Sequence, residues 1–284
     1  DSHEELAKIV EETGGAKDLH LIVRLAVSSD YAAHKLAGKF GASGNEAVSL
    51  LRETRTAASE LGVAFHVGSQ CMRPDAWRVA MNLTGDMIRG AGVTVDIVDI
   101  GGGFPVCYPG LTPPPLEDYM REIEAAFEDM PVLENADLWC EPGRAICAEA
   151  GSHVARVELR KGDNLYLNDG AYGALFDAAH GGLVYPARLL RKRSAPRRAL
   201  RPFRLYGPTC DSIDAMPGPF MLPADVSEGD YIEFGMTGAY GAALATRFNG
   251  FGDYIEARLE DAPMTSVFDK PQQRSAKVIA MGEF

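Results

Sequence analysis

The chain has 284 residues, of which 46% are hydrophobic and 24% charged, and its formal net charge at pH 7 is −12. This acidic surplus argues against a nucleic acid partner, because a phosphate backbone is bound by an excess of Lys and Arg. No apolar stretch approaches the roughly 18 residues of a membrane-spanning helix, so we expect no membrane partner. The five cysteines are odd in number and form no C-x-x-C pair, which favours reduced thiols and a cytoplasmic protein.

The first half of the chain alternates strand and helix patterns. Helix patterns cover residues 45–61, 74–91 and 116–130, and apolar strand patterns cover residues 19–27, 63–67, 95–100 and 138–140. Such alternation predicts βαβ units and a parallel sheet, and four units are about half of a (β/α)8 TIM-type barrel. Half a barrel cannot close its sheet. The chain also opens with a capping-box pattern at Ser2 and Glu5 rather than with Met. We therefore expect a separate N-terminal segment, either absent here or supplied as another polypeptide.

The pattern changes after about residue 154. Short β-like runs at residues 164–167, 203–206, 231–234 and 254–259 are separated by Gly, Pro and Asp turns, as is typical of an antiparallel β domain. We predict a partial barrel over residues 1–154 and a β domain over residues 155–284. The segment 191–201 has six basic residues in eleven, and we interpret it as a solvated hairpin arm.

The segment 96–105 reads Asp-Ile-Val-Asp-Ile-Gly-Gly-Gly-Phe-Pro, a buried-strand pattern that ends in Gly101, Gly102 and Gly103. Three glycines after a strand allow backbone N–H groups to encircle a phosphate, which a Cβ would obstruct. Tight turns also use glycine, so this run alone does not define a ligand.

Three further motifs give the run its meaning: Phe65-His-Val-Gly-Ser69, Glu141-Pro-Gly-Arg144 and Gly207-Pro-Thr-Cys-Asp-Ser-Ile-Asp214. Together the four resemble the ornithine/diaminopimelate/arginine decarboxylase family, the fold type III enzymes that use pyridoxal 5′-phosphate (PLP), and most closely its ornithine decarboxylase branch. The resemblance implies an alanine racemase-like barrel followed by a β domain. It also implies PLP as cofactor and a basic amino acid as substrate, most closely L-ornithine, which yields putrescine in polyamine biosynthesis.

The resemblance implies a role for each residue that would hold PLP. PLP stabilises a carbanion if its pyridine nitrogen stays protonated, and Glu141 matches the carboxylate beside that nitrogen. His66 matches the imidazole that stacks on the ring. The other cofactor-binding positions are Arg24, Ser69, Gly101, Gly102, Gly103, Gly143, Arg144 and Tyr240. On the residues alone, Glu141 could equally be an acid at a helix start and Arg24 part of a buried salt bridge, and a lone histidine such as His66 is more often structural.

The motif at residues 207–214 and an acid before it match the substrate side of the family. There Cys210 would protonate the decarboxylated intermediate, and Asp211 and Asp177 would accept the distal ammonium of the substrate. Diaminopimelate decarboxylases carry Glu where this chain has Asp211, which favours a simple diamine precursor. The stretch from Tyr172 to Asp177 is shorter than in the animal enzymes, so ornithine, lysine and related substrates all stay open. Without the resemblance, the motif would be a turn with a buried cysteine.

The resemblance also implies a homodimer with a shared active site, in which Lys39 and Asp214 match positions that pair across the interface. The family's Schiff-base lysine lies on an early barrel strand, in a Tyr-Ala-Val-Lys type of context. None of the eight lysines stands in such a context: Lys8, Lys17, Lys35, Lys39, Lys161, Lys192, Lys270 and Lys277. We therefore expect this polypeptide by itself to be inactive or nearly so. The alternatives are a non-catalytic homologue of the antizyme-inhibitor kind, a lysine or diaminopimelate decarboxylase, and a barrel enzyme for another phosphorylated ligand.

Overall fold

A computed structural model of the chain describes residues 1–27, 32–34, 38–191, 195–196, 199–260, 262–265 and 278–280. Four of the eight lysines (Lys35, Lys192, Lys270 and Lys277) and part of the basic segment 191–201 lie outside these residues. The chain divides into two compact units. The first comprises residues 1–105 and 113–143, and the second comprises residues 106–112 and 144–284.

The boundary between the units falls at residue 143, earlier than the predicted boundary at residue 154. Ala148 lies in the core of the second unit, and its carbonyl accepts a hydrogen bond from the Gly238 amide at 3.1 Å. The loop 106–112 also belongs to the second unit, because Val106 and Tyr108 are buried in the same core. A change of strand pattern along the sequence marks where the sheet begins, but not which core the preceding residues join.

The first unit is an α/β unit. In chain order its elements are α1 (His3–Glu12), β1 (His20–Arg24), β2 (Ala32–His34), α2 (Gly44–Ala57), β3 (Glu60–Ala64), β4 (Ser69–Cys71), α3 (Asp75–Ala91), β5 (Ile97–Asp99), α4 (Leu116–Glu128) and β6 (Asp137–Trp139). Strands β1, β3, β5 and β6 form a parallel sheet in that order, and β2 pairs with β4 antiparallel. This confirms the predicted strand–helix alternation of a (β/α) barrel part.

Local signals explain most of the element boundaries. Helix α1 begins after Ser2, whose side chain accepts a hydrogen bond from the Glu5 amide at 3.2 Å, as the capping-box pattern predicts. Helix α2 was predicted to extend to residue 61 but ends at Ala57. Leu61, the apolar residue that extended the prediction, is fully buried in β3. A short apolar run next to a helix fits both periods, so the pattern alone could not separate the two elements.

An aromatic cluster fixes the chain that leaves β5. Phe104, directly after the three glycines, stacks on Trp77 of α3 with ring centroids 4.8 Å apart, and Tyr119 of α4 meets Trp77 edge-on at 5.5 Å. All three rings are at least 97% buried. Aromatic side chains of this size dominate core energetics, so the exit of the glycine run is anchored by two helices of the same unit.

The second unit is built on β-strands. In chain order its elements are α5 (Arg144–Cys147), β7 (His153–Lys161), β8 (Asn164–Leu167), α6 (Phe176–His180), β9 (Ala187–Leu190), β10 (Leu200–Tyr206), β11 (Ala215–Pro223), β12 (Tyr231–Phe234), β13 (Ala257–Leu259) and β14 (Val278–Ala280). A six-stranded sheet has the order β11-β10-β8-β7-β12-β9, and β13 pairs with β14.

The six-stranded sheet is mostly antiparallel, as predicted for this domain, but it contains one parallel pair. Strands β8 and β10 pair parallel, and the other pairs of the sheet are antiparallel. A parallel pair needs a long crossover, and here α6 and β9 lie along the chain between the two strands. The strand patterns in the sequence contain no information on this order. In the described part of the chain, no helix is long and apolar enough to cross a membrane.

Candidate active site

The register of the parallel sheet brings three of the sequence motifs into one row. Arg24, Ala64, Asp99 and Trp139 are aligned across the sheet as the last residues of β1, β3, β5 and β6. His66, Gly101 and Glu141 each follow two residues after one of these strand ends. The carboxyl ends of parallel strands carry the catalytic groups in barrels of this kind. The parallel register therefore explains why motifs far apart in sequence meet at one edge.

The glycine run lies against the backbone that follows β3. Gly101 and Gly103 have φ angles of 66° and 104°, a region that favours glycine. A Cβ on Gly101 would overlap the carbonyl oxygen of Phe65, and one on Gly103 would overlap the carbonyl oxygen of Gly68. A Cβ on Gly102 would lie 2.6 Å from the carbonyl oxygen of Glu141. The glycines are therefore required by close backbone approach on both sides.

The amides of the run are not equivalent. The Gly101 amide donates to the Asp99 carboxylate at 2.9 Å, so it is already engaged inside the protein. The Gly102 and Gly103 amides donate to no acceptor within the described residues. A phosphate cradle needs backbone N–H groups with no other partner and with no Cβ in the way. Gly102 and Gly103 meet that requirement. Gly101 contributes its positive φ angle, which shapes the loop, rather than a free amide. Asp99, which was not predicted from the sequence, causes this difference because its carboxylate accepts the Gly101 amide.

His66 is held in one orientation. Its Nδ1 atom accepts a hydrogen bond from the Gly68 amide at 2.9 Å, which requires Nδ1 to be unprotonated. Its Nε2 atom lies 3.2 Å from the position that a Cβ on Gly102 would occupy. Burial lowers the pKa of His66, the positive charge of Arg24 lowers it further, and Asp99 opposes both. The ring is therefore a neutral imidazole beside the glycine run.

Glu141 and the adjacent positions complete the first-unit set. The Glu141 amide donates to the Gly101 carbonyl at 2.9 Å, which ties the Glu-Pro-Gly motif to the glycine run. Its side chain is exposed and forms no ion pair with any described residue. Ser69 opens β4 directly after Gly68, and Gly143 follows two residues after Glu141. The structure thus brings Arg24, His66, Gly102 and Glu141 together.

The remaining predicted residues belong to the second unit. Arg144 is 4% exposed and donates to the Tyr108 hydroxyl at 3.0 Å and to the Asp177 carboxylate at 2.8 Å. Its guanidinium carbon lies 4.8 Å from the centre of the Tyr240 ring. Arg144 and Tyr240 were both predicted as cofactor-binding residues, and they are in contact. Tyr108, which the sequence analysis missed, is the third member of this group.

Asp177, which was predicted to contact the distal ammonium of the substrate, forms a buried ion pair in this structure. It is 3% exposed and forms an ion pair with Arg144. A buried guanidinium needs a charged partner, and Asp177 provides one within the same unit. Tyr185 is 1% exposed, and its hydroxyl has no hydrogen-bond partner among the described residues. Burial raises the pKa of Tyr185, and the nearby negative charge of Asp177 raises it further.

Cys210 and Asp211 lie on a solvent-facing loop of the second unit. The Cys210 thiol is exposed, and its amide donates to the Asn249 side-chain oxygen at 3.1 Å. The Asp211 carboxylate accepts a hydrogen bond from the Tyr172 hydroxyl at 2.5 Å and one from the Ile213 amide at 3.1 Å. The Tyr172 bond, followed by the Ile213 bond, lowers the pKa of Asp211. Asp211 is therefore an ionised, accessible carboxylate. Its hydrogen-bond donor Tyr172 was not predicted from the sequence.

Asp214 is used inside its own unit. It was predicted to pair with Lys39 across a dimer interface, but it is 2% exposed and its carboxylate accepts hydrogen bonds from Ala171 and Thr209. Lys39, in the first unit, lies with its amine 4.9 Å from the centre of the Phe40 ring. The Asp214 carboxylate therefore already has hydrogen-bond partners within its own unit.

Sequence comparison identifies the family. Residues 1–148 match the family described as "Pyridoxal-dependent decarboxylase, pyridoxal binding domain". A lysine/ornithine decarboxylase of Selenomonas ruminantium is 32% identical over 275 residues, which cover 93% of this chain and 66% of the relative. Antizyme inhibitor 2 of Xenopus laevis is 31% identical over 277 residues, which cover 88% of this chain and 58% of the relative. The chain thus spans about three fifths of the length of these curated relatives.

Structure comparison agrees. The arginine decarboxylase of Paramecium bursaria Chlorella virus superimposes with a TM-score of 0.75 at 30% identity, over 89% of this chain and 68% of the other. A parallel strand–helix unit with a glycine cradle at its strand ends, joined to a β unit, defines the chain as an α/β-plus-β protein built for a phosphorylated cofactor. The chain belongs to the pyridoxal-dependent decarboxylase family, and residues 1–148 correspond to its pyridoxal-binding domain.

Proposed function

We propose that the protein is a PLP-dependent decarboxylase of a basic amino acid, and that its substrate is L-ornithine, with putrescine as product. The observation that carries this proposal is the meeting of the Gly102 amide, the His66 imidazole and the Glu141 main chain at one edge of the parallel sheet. Family membership supports the reaction class, and the relatives named as lysine/ornithine and arginine decarboxylases support a basic substrate.

The first-unit residues fit PLP through three different contacts. The Gly102 and Gly103 amides would bind the phosphate, helped by the Ser69 hydroxyl and the Gly143 amide. The neutral ring of His66 would stack on the pyridine, where the positive charge of an imidazolium would oppose protonation of the pyridine nitrogen. The Glu141 carboxylate would hold a proton at that nitrogen. When bound, PLP supplies an electron sink for the carbanion that loss of CO2 leaves at Cα.

The second-unit residues act on the substrate. The ionised Asp211 carboxylate binds the distal ammonium, since a charge-assisted hydrogen bond is stronger than a neutral one. The Cys210 thiol, which is exposed on the same loop, delivers a proton to Cα. Arg144 and Tyr240 keep their predicted role in binding the cofactor, and the Arg144 guanidinium packs on the Tyr240 ring. Asp177 holds Arg144 in place in this proposal and binds no ammonium while that pair is intact.

We further propose a cytoplasmic homodimer with a shared active site. Exposed apolar side chains support a dimer interface at residues 248–255, where Phe248, Phe251 and Tyr254 are each about 40% exposed and Ile255 is 96% exposed. The same segment contains Asn249, which contacts the amide of Cys210. An interface there would lie next to the proposed proton donor.

Among the described residues, no lysine matches the position of the lysine that carries PLP in the family. Of the described lysines, Lys8 lies in α1, Lys17 and Lys39 lie in loops, and Lys161 ends β7 of the second unit. None of these four follows directly after β1, β3, β5 or β6. We propose that this chain binds PLP by phosphate and ring contacts alone, so that the cofactor is removed by dialysis and borohydride reduction adds no PLP mass to the chain.

The decisive assay is CO2 release from carboxyl-labelled ornithine, lysine and arginine, in parallel, by the protein at the full length that its gene encodes. Release from ornithine at the highest kcat/KM is expected. PLP binding without CO2 release from any of the three would favour the second candidate, a non-catalytic homologue. The similarity to antizyme inhibitor 2 is the observation that favours this candidate. Absence of PLP binding, with Gly102→Ala indistinguishable from the unaltered chain, would reject both.

A further inference from the structure

Three loops of the second unit meet around the buried carboxylate of Asp214. They comprise residues 169–173, residues 207–214 and residues 246–252, and together they line a small cavity. The second loop carries Cys210 and Asp211, and the first carries Tyr172, the hydrogen-bond donor to Asp211. What holds these loops together therefore controls the surroundings of the proposed ammonium-binding carboxylate.

The Asp214 carboxylate bonds to two of the loops at once. Its Oδ1 atom accepts a hydrogen bond from the Ala171 amide at 2.7 Å. Its Oδ2 atom accepts hydrogen bonds from the Thr209 amide at 3.0 Å and from the Thr209 hydroxyl at 2.7 Å. Ala171 directly precedes Tyr172, and Thr209 directly precedes Cys210. One side chain thus fixes the backbone on both sides of the Tyr172–Asp211 contact.

Two glycines leave room for this carboxylate. A Cβ on Gly170 or on Gly207 would overlap the oxygen atoms of Asp214. Neither glycine has a positive φ, so backbone conformation does not explain their presence. Close approach to Asp214 does. Both loops therefore carry a glycine where a larger residue would collide with the Asp214 carboxylate. A buried acid with no structural role would not require these two glycines.

We propose that Asp214 is a positioning residue: it ties the loop of Cys210 and Asp211 to the loop of Tyr172, and so keeps the Tyr172 hydroxyl on the Asp211 carboxylate. The consequence for ammonium binding rests on the proposed function. The tie itself does not, because it concerns contacts within the chain alone.

The proposal predicts a shift of known sign. Among the described residues, the charged or titratable groups that face the Tyr172–Asp211 pair are Asp214 and Cys210, which both raise the pKa of Tyr172. If Asp214 acted on Asp211 only through its charge, Asp214→Asn would lower the pKa of Asp211, because a negative neighbour would be lost. If Asp214 acts by holding Tyr172 in place, the same substitution raises that pKa towards the usual value, because the hydrogen bond that lowers it is lost.

The experiment is a pH titration of aspartate carboxyl carbons by NMR on the chain itself, with the Asp211 signal assigned from its loss in Asp211→Asn. The pKa of Asp211 is expected to rise in Asp214→Asn and in Tyr172→Phe. The double variant should show no further rise beyond Tyr172→Phe, because both act on one hydrogen bond. Asp230→Asn is the matched control: Asp230 is also buried and bonded to a backbone amide, but it lies beside Arg191 and should leave Asp211 unchanged.

Thr209→Val keeps the proposal testable if Asp214→Asn does not fold. It removes one hydroxyl donor and leaves the carboxylate in place, so a smaller rise in the pKa of Asp211 is expected. An unchanged or lowered pKa of Asp211 in a folded Asp214→Asn, or in Thr209→Val if the former is unfolded, overturns the proposal. In the PLP-loaded protein at the full length that its gene encodes, the same variants should raise KM for ornithine by roughly tenfold with a smaller change in kcat. Failure of that kinetic effect, with the NMR shifts intact, would count against the ammonium role of Asp211 and leave the positioning role of Asp214 standing.

Discussion

The carboxylate of Asp99 accepts the Gly101 amide at 2.9 Å, so the last residue of a strand binds the first glycine of the loop that follows it. The next residue, Gly102, lies against His66 and Glu141, and Gly103 lies against the Gly68 carbonyl. The phosphate cradle therefore depends on Asp99, the last residue of β5, as well as on the three glycines. Two consequences can be measured at Gly101 and His66.

Gly101→Ala is expected to destabilise the protein by more than its backbone angle explains. A positive φ costs an L-residue about 1–2 kcal/mol. Gly14 has nearly the same φ, 62° against 66°, but nothing lies within 4 Å of the Cβ position there. Gly14→Ala thus measures the angle alone. Gly101→Ala adds overlap with the Phe65 carbonyl, so its unfolding free energy should fall further and PLP affinity should fall with it. Equal losses in urea denaturation of the two variants would show that the close approach is unimportant.

The neutral His66 makes stability depend on pH in a defined window. Its pKa is lowered in the folded state, so below about 6.5 the unfolded chain takes up a proton that the folded chain refuses. The free energy of unfolding should therefore decrease as pH falls from about 6.5 to the lower folded pKa, and His66 should contribute no slope above that window. His66→Gln removes this contribution. Urea denaturation of both proteins between pH 5 and 8 gives the difference, and parallel pH profiles would contradict a lowered pKa.

The register of the sheet explains which site residues could be foreseen. His66, Gly101 and Glu141 follow directly after strands, and parallel strands end at one edge, so sequence position alone indicates that they meet. Tyr172 and Asp214 lie in irregular loops whose contacts join residues about 40 positions apart. No local pattern encodes such contacts. The parallel pairing of β8 with β10 escaped prediction for the same reason, since it depends on the path of a crossover rather than on strand composition.

Trp77 links the α-helical layer to the cradle. It is fully buried and stacks on Phe104, the residue after the three glycines. Trp77→Ala should lower the free energy of unfolding by about 3–5 kcal/mol, through lost burial and the cavity that remains. Val79→Ala is the control on the same helix, because Val79 is 49% exposed and should cost well under half as much. PLP affinity should also fall in Trp77→Ala, measured by fluorescence titration at a temperature where both variants are folded. Unchanged affinity would mean that the stack does not position the cradle.

Asp177→Asn separates two roles for one carboxylate. If the chief role of Asp177 is to neutralise Arg144, its loss leaves a buried guanidinium without its charged partner, which costs about 3–5 kcal/mol of unfolding free energy. Asp163→Asn provides the matched comparison, since Asp163 pairs with Arg201 and both side chains are 52% exposed, so that about 1 kcal/mol or less is expected.

An open, substrate-facing Asp177 would behave in the opposite way. Its removal would then leave the unfolding free energy nearly unchanged and would raise KM for ornithine, as Asp211→Asn is expected to do. Urea denaturation of Asp177→Asn and Asp163→Asn distinguishes the two, followed by steady-state kinetics of Asp177→Asn and Asp211→Asn in the protein at the full length that its gene encodes. The buried pair with Arg144 predicts a large loss of stability in Asp177→Asn and a kinetic defect that addition of substrate does not overcome, because the loss concerns the buried cation rather than the ammonium contact.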